Sequence, residues 1–255
     1  MFRKAVKKAF PVVFWLLVWY VAARLLNQPI LLVSPVDAVK RLAALSTTLP
    51  FWGRVGFTLS KILLGFFLSA LLGIGLAVPA ARFPFVKELL APLTGAMKAV
   101  PVASFVILAF FWVGSEQLSV IISMLIGFPV IYAAALTAFS HLDQKLSEMS
   151  RVFRVPLWRR LRWVILPQVL PSLTSALGVA VGMCFKSGVA AEIIGIARGS
   201  IGESLYEAKM YLDTGDLFAW TLVIVLLSTL CEKVLRLLLK LAERGTRHCS
   251  NHFSN

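Results

Sequence analysis

Three lysines stand where lysine is costly. Lys61, Lys98 and Lys186 lie within or at the edge of long apolar runs, in a chain of 255 residues that is 59% hydrophobic. A lysine near the centre of a bilayer costs roughly 2.5–3.5 kcal/mol on insertion scales, so it faces protein or water and not lipid. Lys98 stands three residues before Pro101, a residue that lacks a backbone donor and would free the carbonyl of residue 97. Lys186 stands six residues before Glu192. Lys61, Lys98, Pro101, Lys186 and Glu192 are therefore candidates for lining a positively charged path, suited to a small anion such as a sulfonate or carboxylate. Two plainer readings stand beside this one. Lys61 can snorkel to the outer interface, and Lys186 can pair with Glu192 or cap carbonyls.

Other chemistries lack their residues. There is no Gly-x-x-x-x-Gly-Lys-Ser/Thr loop to cradle ATP phosphates. His141, His248 and His252 are too scattered for a zinc site or a nucleophilic triad, and no His-Glu-x-x-His lies on an apolar run. Cys184, Cys231 and Cys249 show no CxxC spacing and read as bystanders. The cluster His248, Cys249 and His252 sits in a tail, 241–255, expected to fray. A transport step must then draw its energy from a partner or an ion gradient.

The elements that would position these residues are membrane spans. Only 15% of the chain is charged and mean hydropathy is +0.84, too little polar surface for a soluble domain or a disordered chain. Uncharged runs at 9–23, 62–81, 99–115, 117–142, 163–185 and 217–231 extend to six spans, at about 10–27, 55–81, 89–113, 118–140, 166–189 and 216–239. With both termini in the cytoplasm, seventeen Lys and Arg fall on the inner side, six on the outer side and three in the spans. The formal net charge of +14 is thus mostly a topology signal, and nucleic-acid binding is excluded because the bases flank apolar runs instead of forming a patch. The basic, apolar start reads as a retained first span, because Val21–Ala23 is a poor cleavage site.

Two connecting segments carry further pattern. In the outer loop 27–50, Val36, Val39, Leu42 and Leu45 recur at helical spacing and predict a short interfacial helix, opposite Lys40 and Arg41. The inner segment 141–167 reads HLDQKLSEMSRVFRVPLWRRLRWVILP. Leu142, Leu146 and Met149 give one short amphipathic helix; Pro156 punctuates the chain; Leu157, Trp158 and Leu161 open a second short helix studded with Arg159, Arg160 and Arg162. Leu166-Pro167 then marks entry into the fifth span. Two small angled helices below a bundle make a rigid knob, fit to insert into a groove on a soluble partner.

This segment resembles the EAA loop of permeases of binding-protein-dependent ABC importers, whose pattern is Glu-Ala-Ala, three residues, Gly, nine residues, Ile, one residue, Leu-Pro. Here Glu148-Met149-Ser150 is followed by Arg151–Phe153, Arg154, nine residues, Val164, Ile165 and Leu166-Pro167. Met149 and Ser150 replace two alanines, Val164 replaces Ile, and Arg154 replaces Gly. A glycine there permits a turn other residues resist, so either Pro156 relocates the bend or docking differs in detail. Further matches are Thr58-Leu-Ser-Lys61 with Gly65-Phe66, Met97-Lys98-Ala-Val-Pro101, Phe111-Trp-Val-Gly114, Lys186-Ser-Gly-Val-Ala-Ala-Glu192 and Gly199-Ser-Ile-Gly202. The likeness runs from about Ser34 to Leu239 and is greatest to the branch importing sulfonates, taurine, nitrate and related molecules.

The resemblance implies an all-α integral membrane bundle of about six helices, with N- and C-termini cytoplasmic and the type I ABC importer permease fold. It implies a transport subunit in the inner membrane of a prokaryote, with no catalytic residue, metal or cofactor of its own. Its partners would be a second copy, an extracytoplasmic solute-binding protein, and a cytoplasmic ATPase dimer that holds ATP–Mg²⁺. Glu148, Met149, Ser150, Arg154, Pro156, Leu166 and Pro167 would couple to that ATPase, and the 199–202 segment would gate the outer face. The alternative is a secondary transporter driven by an ion gradient, which would need in-membrane acids; Glu116, Glu192 and Asp216 lie only at span ends.

Overall fold

The computed structural model describes residues 2–28 and 30–250, with side chains described over 10–28 and 30–241. It contains helices and turns, with no strand among the described residues. In chain order the helices are α1 (Phe2–Leu26), α2 (Pro35–Ser46), α3 (Leu49–Arg82), α4 (Pro84–Ala99), α5 (Val102–Phe110), α6 (Ser115–Ser140), α7 (Gln144–Val152), α8 (Leu157–Arg160), α9 (Leu166–Gly195), α10 (Ile201–Met210) and α11 (Thr214–Ser250). The six apolar runs fall on α1, α3, the α4–α5 pair, α6, α9 and α11. By length and composition three helices suffice to cross a membrane among the described residues: α3, α6 and the run Leu157–Gly195. The α4–α5 pair makes a fourth, and Phe10–Leu26 is a shorter apolar helix. The tail, expected to fray, is helical in backbone as far as Ser250; the side chains of His248 and Cys249, and all of His252, lie outside the described residues.

The core is the three-helix contact of α3, α6 and α9. On α3 the buried positions Val55, Thr58, Ile62, Gly65, Phe66, Ser69, Gly73, Ala77 and Ala80 follow helical spacing along one face. Several are small, as expected where helices must approach without water to drive them together. Gly65 shows why: a Cβ there would collide with the carbonyl oxygen of Val120 on α6. Between α6 and α9, the Ser123 hydroxyl donates to the Cys184 carbonyl (3.1 Å) and the Cys184 thiol donates back to the Ser123 carbonyl (3.2 Å). Cys184 is thus a packed, hydrogen-bonded member of the core. A smaller cluster, Val106, Ala109, Leu118, Ile122, Ile126 and Ala191, seats α5 against α6 and α9.

Three expectations are corrected. The third span, 89–113, is interrupted at Pro101 as expected, but far more sharply than an interruption alone requires: α4 ends at Ala99, Pro101 caps α5, and the two axes differ by 102°. Proline cannot continue α4, and its neighbour Val100 takes the extended backbone that precedes proline (ψ 132°). Second, α8 is not separate from the fifth span. A π turn over Leu161–Ile165 carries the helix on into α9, with the Leu166 N–H bonded to the Leu161 carbonyl. That wider turn accommodates Pro167, which would clash in a regular helix. Third, α2 is real, but its packed face holds Ala38, Leu42 and Leu45 while Val36 and Val39 are exposed. Its orientation is fixed by Arg41, which bonds Asp216 at the start of α11 and lies 3.7 Å from Asp213.

Candidate functional site

The segment 141–165 is built to be stiff. Asp143 caps α7, accepting from the amides of Lys145 (2.8 Å) and Leu146 (3.4 Å). Its own amide donates to Gln168 Oε1 on α9 (2.9 Å), and Gln168 in turn donates to the Val164 carbonyl (2.7 Å). Arg160 Nη2 reaches back to Ser147 Oγ at 2.6 Å, closing α8 onto α7. Ser150 is buried, its hydroxyl on the Ser147 carbonyl (2.7 Å). The loop is therefore tied to α9 by a hydrogen-bonded strut at one end and by the continuous α8–α9 helix at the other.

Arg154 resolves the open question about the missing glycine. It adopts φ +49°, the left-handed conformation that glycine favours. Around it the Val155 amide bonds the Ser150 carbonyl (3.0 Å) and the Arg154 amide bonds the Arg151 carbonyl (2.9 Å), a Schellman end to α7. The bend stays at Arg154, and Pro156 caps α8 instead of relocating it.

This rigid element presents apolar surface. Met149, Val152, Phe153, Leu157 and Trp158 are exposed, Val152 at 78% and Leu157 at 77%, and arginines 151, 154, 159 and 162 are interspersed. Glu148 is exposed and makes no ion pair among the described residues, so the local pairing with Arg151 or Lys145 is not formed. Leu166 and Pro167 sit in the first turn of α9, directly after the π turn, and Leu166 is exposed, lining one groove with Trp158 and Leu161.

The three lysines are separate. Lys61 is half-buried on α3, its Nζ 5.4 Å from the Phe57 ring centroid. Lys98 is exposed in the last turn of α4, immediately before the Pro101 bend, and opens onto a cavity of about 380 Å³ between α4 and α6. Lys186 is exposed on α9, on a stripe with Ser172, Ser175, Val179 and Met183 that the chain leaves uncovered. It does not pair with Glu192. Six residues of helix set the two about 120° apart around the axis.

Glu192 is instead wholly enclosed. Its Oε2 accepts from the Thr58 hydroxyl (2.8 Å) and the Gly202 amide (3.3 Å), while Thr58 Oγ1 accepts from the Ile201 amide (2.9 Å). Three elements thus meet at one carboxyl group: α3, α9 and the N-terminus of α10. Gly202 is required for this approach, since a Cβ would collide with the Glu192 side chain and backbone. Nearby, Ile196 ends α9 at φ +49°, an uncommon conformation for a β-branched residue, with the Ala197 amide bonded to the Glu192 carbonyl (3.1 Å). Thr58 opens one of the family-like motifs, but nothing in its sequence context signals this partnership with Glu192. The contacts of Gln168 with Asp143 and of Arg160 with Ser147 likewise have no spacing signal.

Residues 69–248 match the family model described as the binding-protein-dependent transport system inner membrane component. The chain belongs to that family. It is a multi-pass permease subunit of such a system, a transporter component, and the ion-gradient alternative falls away. The chain is 27% identical to the taurine transport system permease protein of Escherichia coli over 226 residues, covering 86% of this chain and 82% of that one. It is 29% identical to the riboflavin transport system permease protein of Chloroflexus aurantiacus over 230 residues, covering 86% and 85%. A chain of the MetNI methionine ABC transporter, solved in inward-facing conformations, superposes with a TM-score of 0.54 at 16% identity, covering 75% of this permease and 93% of that chain. That likeness establishes the type I permease fold.

Proposed function

We propose that this permease forms, as one half of a homodimer in the inner membrane of a prokaryote, the translocation path of an ATP-driven importer for a small anionic solute. The 141–167 segment is its coupling element, docking in a groove of a separate cytoplasmic ATPase dimer that carries ATP–Mg²⁺. The observation that carries this reading is an exposed apolar face, Met149, Val152, Phe153, Leu157 and Trp158, on an element locked to a membrane helix. Apolar surface of that kind is stable only when a partner covers it. Because α8 runs into α9 without a break, a force on the knob moves α9 as a near-rigid body.

The solute class follows from charge and from the company the chain keeps. Lys98 and Lys186 stand on faces the single chain leaves open, and Lys186 shares its stripe with two serines. Such a face is costly against lipid, which favours a second copy and a wet path between the two. Lys61 would meet the same path at its outer end. A taurine permease among the relatives agrees with an anion carrying a sulfonate group. On the opposite side, the Thr58–Glu192–Gly202 junction would hold α10 as the gate that a solute-binding protein engages.

The test is reconstitution with the ATPase and a taurine-binding protein in proteoliposomes. Uptake of taurine that needs ATP, together with ATP hydrolysis that rises with loaded binding protein and loses that rise in Glu148→Ala, is the expected result. ATP hydrolysis unaffected by Glu148→Ala and by polar replacement of Phe153 would remove the coupling role.

A further inference from the structure

The cavity between α4 and α6 has a second cation that topology alone had accounted for. Its α4 wall is Lys87, Ala91, Thr94 and Lys98, spaced four, three and four residues apart, which is one face of one helix. Its α6 wall carries Tyr132, Thr137 and Ser140, with His141 at the end nearest the 141–165 loop. Eleven residues of helix separate the two lysines by about 16 Å. No acid lines the cavity, and among the described residues neither lysine has an ion-pair partner. Glu88, next to Lys87 in sequence, is not on this face.

One buried group points to a ligand independently. Tyr132 is only 4% exposed, and its hydroxyl has no hydrogen-bond partner. A buried hydroxyl left unpaired is costly, and such groups are ordinarily satisfied by protein, water or a ligand. The Thr94 hydroxyl on the facing wall donates to the carbonyls of Leu90 and Ala91 and makes no bond to Tyr132. Two free ammonium groups, an unpaired hydroxyl donor and no carboxylate make a set of donors without acceptors of matching charge.

We propose that this groove is an exit-side binding site for a small oxyanion, with Lys98 at its inner end, Tyr132 between, and Lys87 at the cytoplasmic mouth. The proposal rests on the importer reading above and deepens it: the solute anion would pass from Lys98 to Lys87 before release. A phospholipid phosphate offers the same chemistry at Lys87, but Lys98 lies some 16 Å of helix further in, out of reach of a headgroup held at the mouth, whereas a free anion meets the two lysines in turn. The free anion is therefore the occupant.

The experiment uses the purified full chain in nanodiscs and radiolabelled methanesulfonate as probe, without binding protein or ATPase. Wild type is expected to retain the probe, with dimethyl sulfone, its neutral analogue, failing to displace it. Affinity should fall at least tenfold in Lys98→Met, the probe bound per chain should fall in Lys87→Met as the station at the mouth is lost and recover in part in Lys87→Arg, and affinity should fall severalfold in Tyr132→Phe, which keeps the ring. Lys40→Met, on α2, should bind as wild type. Equal binding by Lys87→Met and wild type, no binding by wild type, or displacement by dimethyl sulfone would each overturn the proposal. So would loss of the probe as the anionic-lipid fraction of the nanodisc is raised, because the lysines would then belong to headgroups. Failure of the groove is distinguishable from failure of the importer reading: ATP-driven uptake that persists in Lys87→Met sinks only the former, while absence of any ATP-driven uptake in wild type sinks only the latter.

Discussion

Replacing Thr58 with valine isolates what the buried junction contributes. The two side chains are nearly the same size, so no cavity opens; what disappears is one hydroxyl. That hydroxyl donates to Glu192 Oε2 at 2.8 Å and accepts from the Ile201 amide at 2.9 Å, and both partner residues are buried. A hydrogen bond to a carboxyl group contributes about 1.5–3 kcal/mol and one between neutral groups about 1 kcal/mol, so the loss is about 2–4 kcal/mol. For a chain of this size each kcal/mol moves the unfolding midpoint by about 2–4 °C, giving a fall of roughly 5–15 °C in the solubilised full chain. Hydrogen exchange should localise the effect, with the Ile201 amide and the first turn of α10 losing protection before α3 or α9. Ser60→Ala is the control, because that exposed hydroxyl bonds only the Phe57 carbonyl of its own helix, and it should stay within about 0.5 kcal/mol. A Thr58→Val variant as stable as Ser60→Ala, with unchanged exchange at Ile201, would refute the idea that one carboxyl group holds α3, α9 and α10 together.

Other perturbations follow from single contacts. Arg154→Gly removes the Cβ from a left-handed residue; after the extra unfolded-state entropy of glycine it should stabilise the α7–α8 turn by about 0.5–1 kcal/mol, read as about 2- to 5-fold slower exchange at the Val155 amide. Gly65→Ala drives a Cβ into the Val120 carbonyl and Ser123, and should cost about 1–3 kcal/mol in thermal unfolding by forcing α3 and α6 apart. Lys98→Met should abolish uptake while complex assembly, measured by co-purification with the ATPase, stays intact.

How much of this was legible beforehand depends on the range of the interaction. The apolar runs and their flanking bases located the helices, because burial in lipid is a local property of sequence. The inner knob was visible through Leu146, Met149 and Pro156, whose spacing and backbone restriction act over a few residues. The 102° break at Pro101 exceeded the expected interruption, since direction after a break is set by what α5 packs against, here α6 and α9. The π turn was hidden because Leu-Pro reads equally well as the start of a new helix. Glu192 was recognised as special, and Lys186, six residues away, was one alternative partner for it; Thr58 could not be read off, because it is 134 residues away and only folding brings it near. The bonds of Gln168 to Asp143 and of Arg160 to Ser147 stayed hidden for the same reason.

The coupling role of the 141–167 knob is tested most directly by placing a photoactivatable group at Val152, the most exposed apolar position on α7. In the assembled complex, illumination should give one cross-linked product, this permease joined to the ATPase, and the same group at Trp112, exposed on the outer side, should give none. A complex that hydrolyses ATP yet yields no cross-link from Val152 would contradict the coupling role.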